Sequence, residues 1–248
     1  IDDCCLAESR QLRRIELNSG MPCDGLTPSA GLMREARACF GGPIICMLRP
    51  REGGFCYTPG EFRVMLRDAE HLLSAGADGL ACGFLTPTHS VDHKRCQEFR
   101  RQFPTQELVF HRAFDRVTDQ LGALEELCEL GFQRILTSGG AATASQGIVR
   151  IQQLATAAAG RIEILPGGGI RANNVMALLN CPEITQLHTS CSSQRQSEPA
   201  HRKMGAAGNT LPFSNATTSI VDDSEACLSA DSSLLDDLLR VVRSTRPL

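Results

Sequence analysis

The strict alternation of short β-rich runs with amphipathic helical stretches is the feature that most constrains the fold of this chain. Seven β-rich runs lie at 13–17, 43–49, 79–84, 107–112, 132–136, 161–166 and 183–188. Helical patterns fall between them at 28–40, 59–75, 91–103, 119–130, 144–159 and 171–180, and a last one lies at 232–244. Repeated βα units predict a parallel sheet with helices outside it, and this many regular units favours a (β/α)8 TIM-type barrel.

The strand count is one short of the eight that such a barrel needs. We expect residue 1 to be the tail of a first strand that is partly missing from this chain, with residues 3–12 as the first helix. The 248 residues fit a single barrel domain. A stretch rich in Gly, Ser, Thr and Asn at about 189–231 predicts a long polar loop with little regular structure before the last helix.

Charge and composition exclude several classes of partner. The net charge is only −3, with no Trp and one Tyr, so the basic face and aromatic side chains of a nucleic-acid binder are missing. No apolar run approaches the roughly 18 residues that span a bilayer, so we expect no membrane partner. The twelve cysteines are scattered rather than densely spaced, which predicts free thiols. We therefore expect the protein in the cytoplasm, with the nucleus as a second location.

Polar residues follow the ends of several predicted strands. In a barrel the carboxyl ends of the strands form one rim, so these side chains would converge there. A carboxylate, two imidazoles and an arginine at one rim predict acid–base chemistry on a small bound anion. The alternative is a set of ion pairs that closes the barrel top, in which Arg49 or Arg112 neutralises a carboxylate. The candidate catalytic residues are Glu16, Arg49, His111, Asp115 and His188.

Three consecutive glycines, Gly167, Gly168 and Gly169, follow a late strand and precede a predicted helix. Glycines in this position let backbone N–H groups approach a phosphate or carboxylate, and the late loops of barrels often form such a site. Ser138 and Ser190, after neighbouring strands, could add donors to an anion site. The alternative for the glycines is a tight turn without a ligand.

A metal site finds less support in the residues. Neither a C-x-x-C pair nor a zinc-like spacing occurs, and most cysteines fit as small buried hydrophobic residues. The residues themselves indicate no cofactor, and the identity of any metal ligand stays open.

Several motifs in order along the chain resemble the CutC family, named for copper homeostasis. They are RIEL (14–17), the Gly25–Met33 segment GLTPSAGLM, MLRPREGGFCY (47–57), GADGLACG (76–83), FHRAFD (110–115), RILTSGG (134–140) and LPGGGI (165–170). The resemblance implies a barrel of the (β/α)8 type, a cytosolic location and a homo-oligomer, either a dimer or a tetramer.

The resemblance also implies Cu(I) binding and a role in copper homeostasis. In such proteins copper is attributed to cysteines near the ends of the first two strands. Here the position after RIEL is Asn18, and the other position would lie at or before residue 1. Three functions therefore stay open: a cytosolic copper-homeostasis protein, a barrel enzyme acting on a small anionic metabolite, phosphorylated or not, or an oligomeric scaffold that has lost activity.

Overall fold

The computed structural model describes residues 1–196 and 226–245 of the chain. Six parallel strands pair in sequence order and curl into a half-barrel. They are β1 (Ile15–Leu17), β2 (Ile44–Met47), β3 (Gly79–Cys82), β4 (Glu107–Phe110), β5 (Arg134–Thr137) and β6 (Glu163–Pro166). Helices alternate with these strands, so the predicted (β/α)8-type barrel is confirmed.

Several helices begin at a residue whose side chain caps the first turn, and eight α-helices in all form within the described ranges. They are α1 (Asp2–Ser9), α2 (Ala30–Cys39), α3 (Pro59–Ser74), α4 (His93–Gln102), α5 (Gln120–Glu129), α6 (Ile148–Ala158), α7 (Met176–Leu179) and α8 (Ser232–Thr245). Thr58 and Glu61 form a reciprocal capping box at the start of α3, with a proline at its first position. No helix in the described ranges is long and apolar enough to cross a membrane.

Two hydrophobic layers pack on either side of the strands. The outer layer lies between the sheet and the helices and contains most of the buried residues. The inner layer fills the barrel and contains Ile45, Met47, Ala81, Val109, Leu136 and Leu165. Because side chains alternate along a strand, the residue two positions beyond an inner-layer residue also faces the lumen, at the carboxyl-terminal mouth.

A charged network lies at the opposite, amino-terminal end of the lumen. Glu107 on β4 accepts hydrogen bonds from both Arg14, just before β1, and Arg134 on β5. The Nε of Arg134 lies 2.7 Å from a carboxylate oxygen of Glu163 on β6. These four residues are mostly buried and connect strands across the lumen, so they form the floor of the barrel, below the inner apolar layer.

Three predicted elements differ from the structure. The run 183–188 does not form a strand: only His188 pairs with β6, in a single parallel bridge to Gly167. Pro182 precedes this run, and Thr185 donates to Glu163 at 2.6 Å instead of extending a ladder of apolar residues. The predicted strand carries too few apolar residues to be buried on both faces.

The helix predicted at 171–180 forms only over the four residues of α7. Asn174 explains the difference, because its side chain accepts from the amide of Arg171 at 2.9 Å and donates to the carbonyl of Gly169 at 2.8 Å. Side-chain bonds of this kind favour turns over helix.

The polar loop predicted at about 189–231 is structured at its two ends. Strands β7 (Ser192–Gln196) and β8 (Ala226–Ala230) pair antiparallel there, and residues 197–225 lie outside the described part of the chain. Ile1 is the N-cap residue of α1 in the structure and belongs to no strand. The first strand predicted to precede it stays a prediction.

Candidate functional site at the barrel mouth

His111 lies directly after β4 and points into the mouth of the barrel. It is only 2% exposed, and its ring lies 5.0 Å from that of Phe55, centroid to centroid. Nδ1 accepts a hydrogen bond from the amide of Ala113 at 3.2 Å, whereas the buried Nε2 has no partner among the described residues. Burial and the nearby charge of Arg49 lower the pKa of His111 to about 3, so the imidazole is neutral at physiological pH.

Gly83 on the neighbouring strand end makes room for this imidazole. A Cβ atom added at Gly83 would lie 2.6 Å from Cε1 and Nδ1 of His111 and 2.7 Å from the Cβ of Ala113. These separations are well below van der Waals contact. Position 83 therefore accepts only glycine if His111 keeps its place.

Arg49, two residues after β2, is also buried, with 6% of its surface exposed. Its guanidinium donates to three backbone carbonyls, those of Cys23, Gly25 and Gly53. Nε is buried without a partner, and no carboxylate lies within ion-pair distance among the described residues. The guanidinium carbon sits 5.4 Å from the centre of the Phe55 ring. Arg49, Phe55 and His111 together are called the His111 sector below.

Asp115 is the centre of a second group of residues, on the next strand ends. Its carboxylate, 7% exposed, accepts from Arg112 Nε at 2.8 Å and from the amide and hydroxyl of Ser138 at 3.0 and 2.9 Å. Thr137 and the amide of Gly140 donate to it as well. This carboxylate therefore has little hydrogen-bonding capacity left for a substrate. Its bonds hold the loop after β5 against the loop after β4.

The glycine loop after β6 lies beside this group. Gly168 and Gly169 have φ angles of 105° and 68°, which side chains other than glycine rarely adopt. A Cβ added at Gly168 would lie 3.6 Å from Nη1 of Arg112, and this Nη1 donates to no described residue. The amide of Gly169 likewise donates to no residue in the described ranges. Arg112, Asp115, Ser138 and Gly168 together are called the Asp115 sector.

The remaining predicted site residues lie apart from these two sectors or make few contacts. Glu16 is in register with Ile45, so its side chain faces the lumen at the level of the inner layer, below the rim where the sequence predicted it. It is half-buried, and its carboxylate bonds to no described residue. Gly167 is buried, and its amide donates to the carbonyl of Thr137 at 2.9 Å. His188 is half-buried next to Gly167, where its Cδ2 would lie 3.5 Å from an added Cβ. Ser190 is exposed and pairs with Ser192 instead of the glycine loop.

Phe55 is a residue of the mouth that the sequence did not indicate as part of the site. Phe55, within the GGF of the loop after β2, contacts both buried groups of the His111 sector. Its only signal in the sequence was an aromatic residue in a glycine-rich loop at the barrel mouth. On β5, Leu136 faces the lumen and Ile135 packs in the outer layer, so by alternation the lumen-facing residue at the end of the strand is Ser138 and not Thr137.

Soft ligand residues near the mouth include Cys23, whose carbonyl accepts from Arg49, and Met47 of the inner layer. No group of three or more His, Cys, Asp or Glu residues suited to a metal occurs within the part of the chain that the structure describes. Asn18 occupies the position that the family resemblance implies for a copper-binding cysteine, and its amide is a poor ligand for Cu(I), so that implied site does not fit this chain. Cys46 donates to Met33 Sδ at 3.3 Å inside the outer core, and burial raises the pKa of its thiol to about 12.

Comparisons with known proteins agree with the motifs. The protein-family model described as the CutC family matches residues 2–193. A family protein CutC of Treponema denticola is 42% identical over 199 residues, which cover 80% of each chain. The human copper homeostasis protein cutC homolog is 37% identical over 223 residues, which cover 90% of this chain and 82% of the human one.

Solved structures show the same fold. A crystal structure of CutC from Streptococcus agalactiae superposes with a TM-score of 0.69 at 32% identity, over 74% of this chain and 93% of that one. The aldolase QR15 superposes with a TM-score of 0.58 at 17% identity, over 76% and 82% of the two chains, and shares the fold alone. Motifs, fold and relatives together show that this chain belongs to the CutC family of copper homeostasis proteins.

Proposed function

We propose that the barrel mouth binds a small anionic metabolite and performs acid–base chemistry on it. The observation that carries this proposal is the guanidinium of Arg49, which is buried at the mouth with no carboxylate partner among the described residues. A buried charge without a counter-ion is costly, and a bound anion would compensate it.

Arg112 of the Asp115 sector and the neighbouring Gly169 supply a second place for negative charge. Nη1 of Arg112 and the amide of Gly169 are donors without a described acceptor, and both belong to the loops that border the mouth. Arg112 is 44% exposed in its side chain, so a ligand can reach it from solvent. A phosphate or carboxylate bound there would be held by a guanidinium and a backbone N–H, a common combination for anions.

Glu16 is the group proposed for proton transfer. Its carboxylate faces the lumen and forms no ion pair with a described residue, unlike Asp115, whose oxygens are all engaged. A carboxylate that is not neutralised by a neighbour can accept or donate a proton during a reaction. The site we propose therefore uses Arg49 and Arg112 at the mouth for charge, with His188 at its border. Glu16, level with Ile45 in the inner layer below the mouth, would supply the acid–base chemistry.

Titration of the reduced full chain with inorganic phosphate, followed by calorimetry, tests the anion site. We expect Arg112→Gln to weaken phosphate binding about 10-fold or more, because a charge-assisted hydrogen bond contributes about 1.5–3 kcal/mol. Arg49→Gln should weaken it as well. Arg116→Gln is the matched control, since Arg116 is exposed at the other end of the short 3₁₀ helix Arg112–Arg116. Phosphate that does not bind saturably to the wild type, or that binds Arg112→Gln equally well, would contradict the proposal.

Cu(I) binding is a second candidate function, favoured by one contact. The thiol of Cys39 on α2 interacts with that of Cys5 on α1, which raises the pKa of Cys39, and Cys5 is exposed. Two thiolates at a surface are suited to Cu(I).

We expect the reduced protein to compete with a chromophoric chelator for one Cu(I), and Cys39→Ser to lose this binding. Cys56→Ser changes an exposed cysteine elsewhere and should retain it; equal binding by both variants would rule out the pair.

A further inference from the structure

Two buried nitrogen atoms at the barrel mouth lack hydrogen-bond partners within the described residues: Nε2 of His111 and Nε of Arg49. Leaving such a group unpaired costs about 1–3 kcal/mol. The two side chains are 2% and 6% exposed, and both contact the ring of Phe55. Both side chains therefore pack against the same aromatic ring at the mouth, and neither unpaired nitrogen has an acceptor among the described residues.

The hydrogen bond at the other ring nitrogen assigns the proton of His111. Nδ1 accepts from the amide of Ala113, so Nδ1 itself carries no hydrogen. A neutral imidazole has a single N–H, which must then be on Nε2. The unpaired Nε2 is thus a donor and not a base.

Arg49 contributes a donor of the same kind. Its two terminal nitrogens are used on the carbonyls of Cys23, Gly25 and Gly53, which fix the plane of the guanidinium. Arginine has no acceptor atom, so Nε also offers only an N–H. The two side chains therefore present two fixed N–H donors and one positive charge, which hydrogen-bond acceptors such as carbonyl and carboxylate oxygens would satisfy.

We infer that the metabolite bound at this mouth is a carbonyl compound, such as a 2-oxo acid, whose carbonyl and carboxylate oxygens accept from Nε2–H of His111 and Nε–H of Arg49. This inference rests on the proposed anion site and names its substrate class. His111 acts as a neutral hydrogen-bond donor that polarises the carbonyl, a role known for neutral imidazoles in enzymes. It replaces the acid–base role that the sequence suggested for this residue.

The probe for this inference is oxalate, a planar dianion with four acceptor oxygens and no donor. Protein labelled with ¹⁵N in its histidines reports the protonation of both ring nitrogens by NMR. We expect His111 to keep Nε2 protonated and Nδ1 bare from pH 5 to pH 8, and its Nε2 signal to shift when oxalate is added. The signal is assigned by its loss in His111→Gln.

Oxalate affinity in variants gives an independent readout. His111→Phe removes the donor and keeps an aromatic ring, and we expect about 10-fold weaker binding of oxalate. His111→Gln retains an N–H donor and should stay within about threefold of the wild type. His71→Phe, at an exposed position, should bind oxalate as the wild type does.

The outcomes separate this inference from the anion site on which it rests. If phosphate binds and depends on Arg112 but oxalate leaves Nε2 of His111 unchanged, the substrate class is wrong and the anion site stands. Protonation of Nδ1, or titration of His111 between pH 5 and pH 8, would overturn the donor role. If neither phosphate nor oxalate binds, both proposals fail.

Discussion

The imidazole of His111 couples the stability of the protein to pH. Its pKa is about 3 in the folded protein because of burial and the charge of Arg49, whereas an unfolded histidine has a pKa of about 6.5. The unfolded state therefore binds an extra proton between these values, so the free energy of unfolding is highest above pH 6.5 and falls as the pH decreases toward 3. The contribution of one group to this slope is at most about 1.4 kcal/mol per pH unit.

We predict that His111→Gln flattens this dependence. Urea denaturation of the wild type and the variant at pH 7, 6 and 5 would show the wild type losing stability faster on acidification, because only the wild type must keep a buried histidine neutral. His71→Gln, at an exposed position, should follow the wild-type slope. If the slopes of His111→Gln and the wild type are equal, His111 is not the buried neutral group described above.

At the level of the element, the end of strand β3 determines where His111 can lie. It ends one residue before Gly83, whose missing side chain leaves space for the imidazole. We predict that Gly83→Ala destabilises the fold by about 1–3 kcal/mol, the usual range for overpacking, and displaces the imidazole. Denaturation and the histidine NMR signals measure the two effects. Gly54→Ala, where no atom lies within 4 Å of the added Cβ, should alter neither.

At the scale of the whole molecule, the charged floor connects the start of β1 with β4, β5 and β6 across the lumen. Glu107 is bonded to both Arg14 and Arg134, so its removal leaves two largely buried guanidinium groups with fewer counter-charges. We predict that Glu107→Ala lowers the free energy of unfolding by about 2–4 kcal/mol, as expected when one partner of a buried ionic network is removed. Glu125→Ala breaks an exposed pair with Arg161 and should cost much less. Equal losses would show that the floor contributes no more than a surface pair.

Local patterns in the sequence predicted most of the barrel. The six strands and most helices follow from apolar runs, caps and glycines that act within a few residues, such as the capping box of Thr58 and Glu61. The run 183–188, the short α7 and the β7–β8 hairpin were not predicted correctly. Each depends on partners distant in sequence or on side-chain bonds such as those of Asn174, which a periodicity does not contain.

The sequence by itself determined that polar side chains follow the strand ends, since alternation and strand order place His111, Arg49 and Asp115 at one mouth. Only the tertiary structure decided what each of them can do. Asp115 is saturated by donors from two loops, Arg49 is bonded to carbonyls and not to a carboxylate, and His111 is neutral. These properties come from burial and from contacts between segments far apart in the chain, because desolvation and hydrogen bonding are set by three-dimensional neighbours.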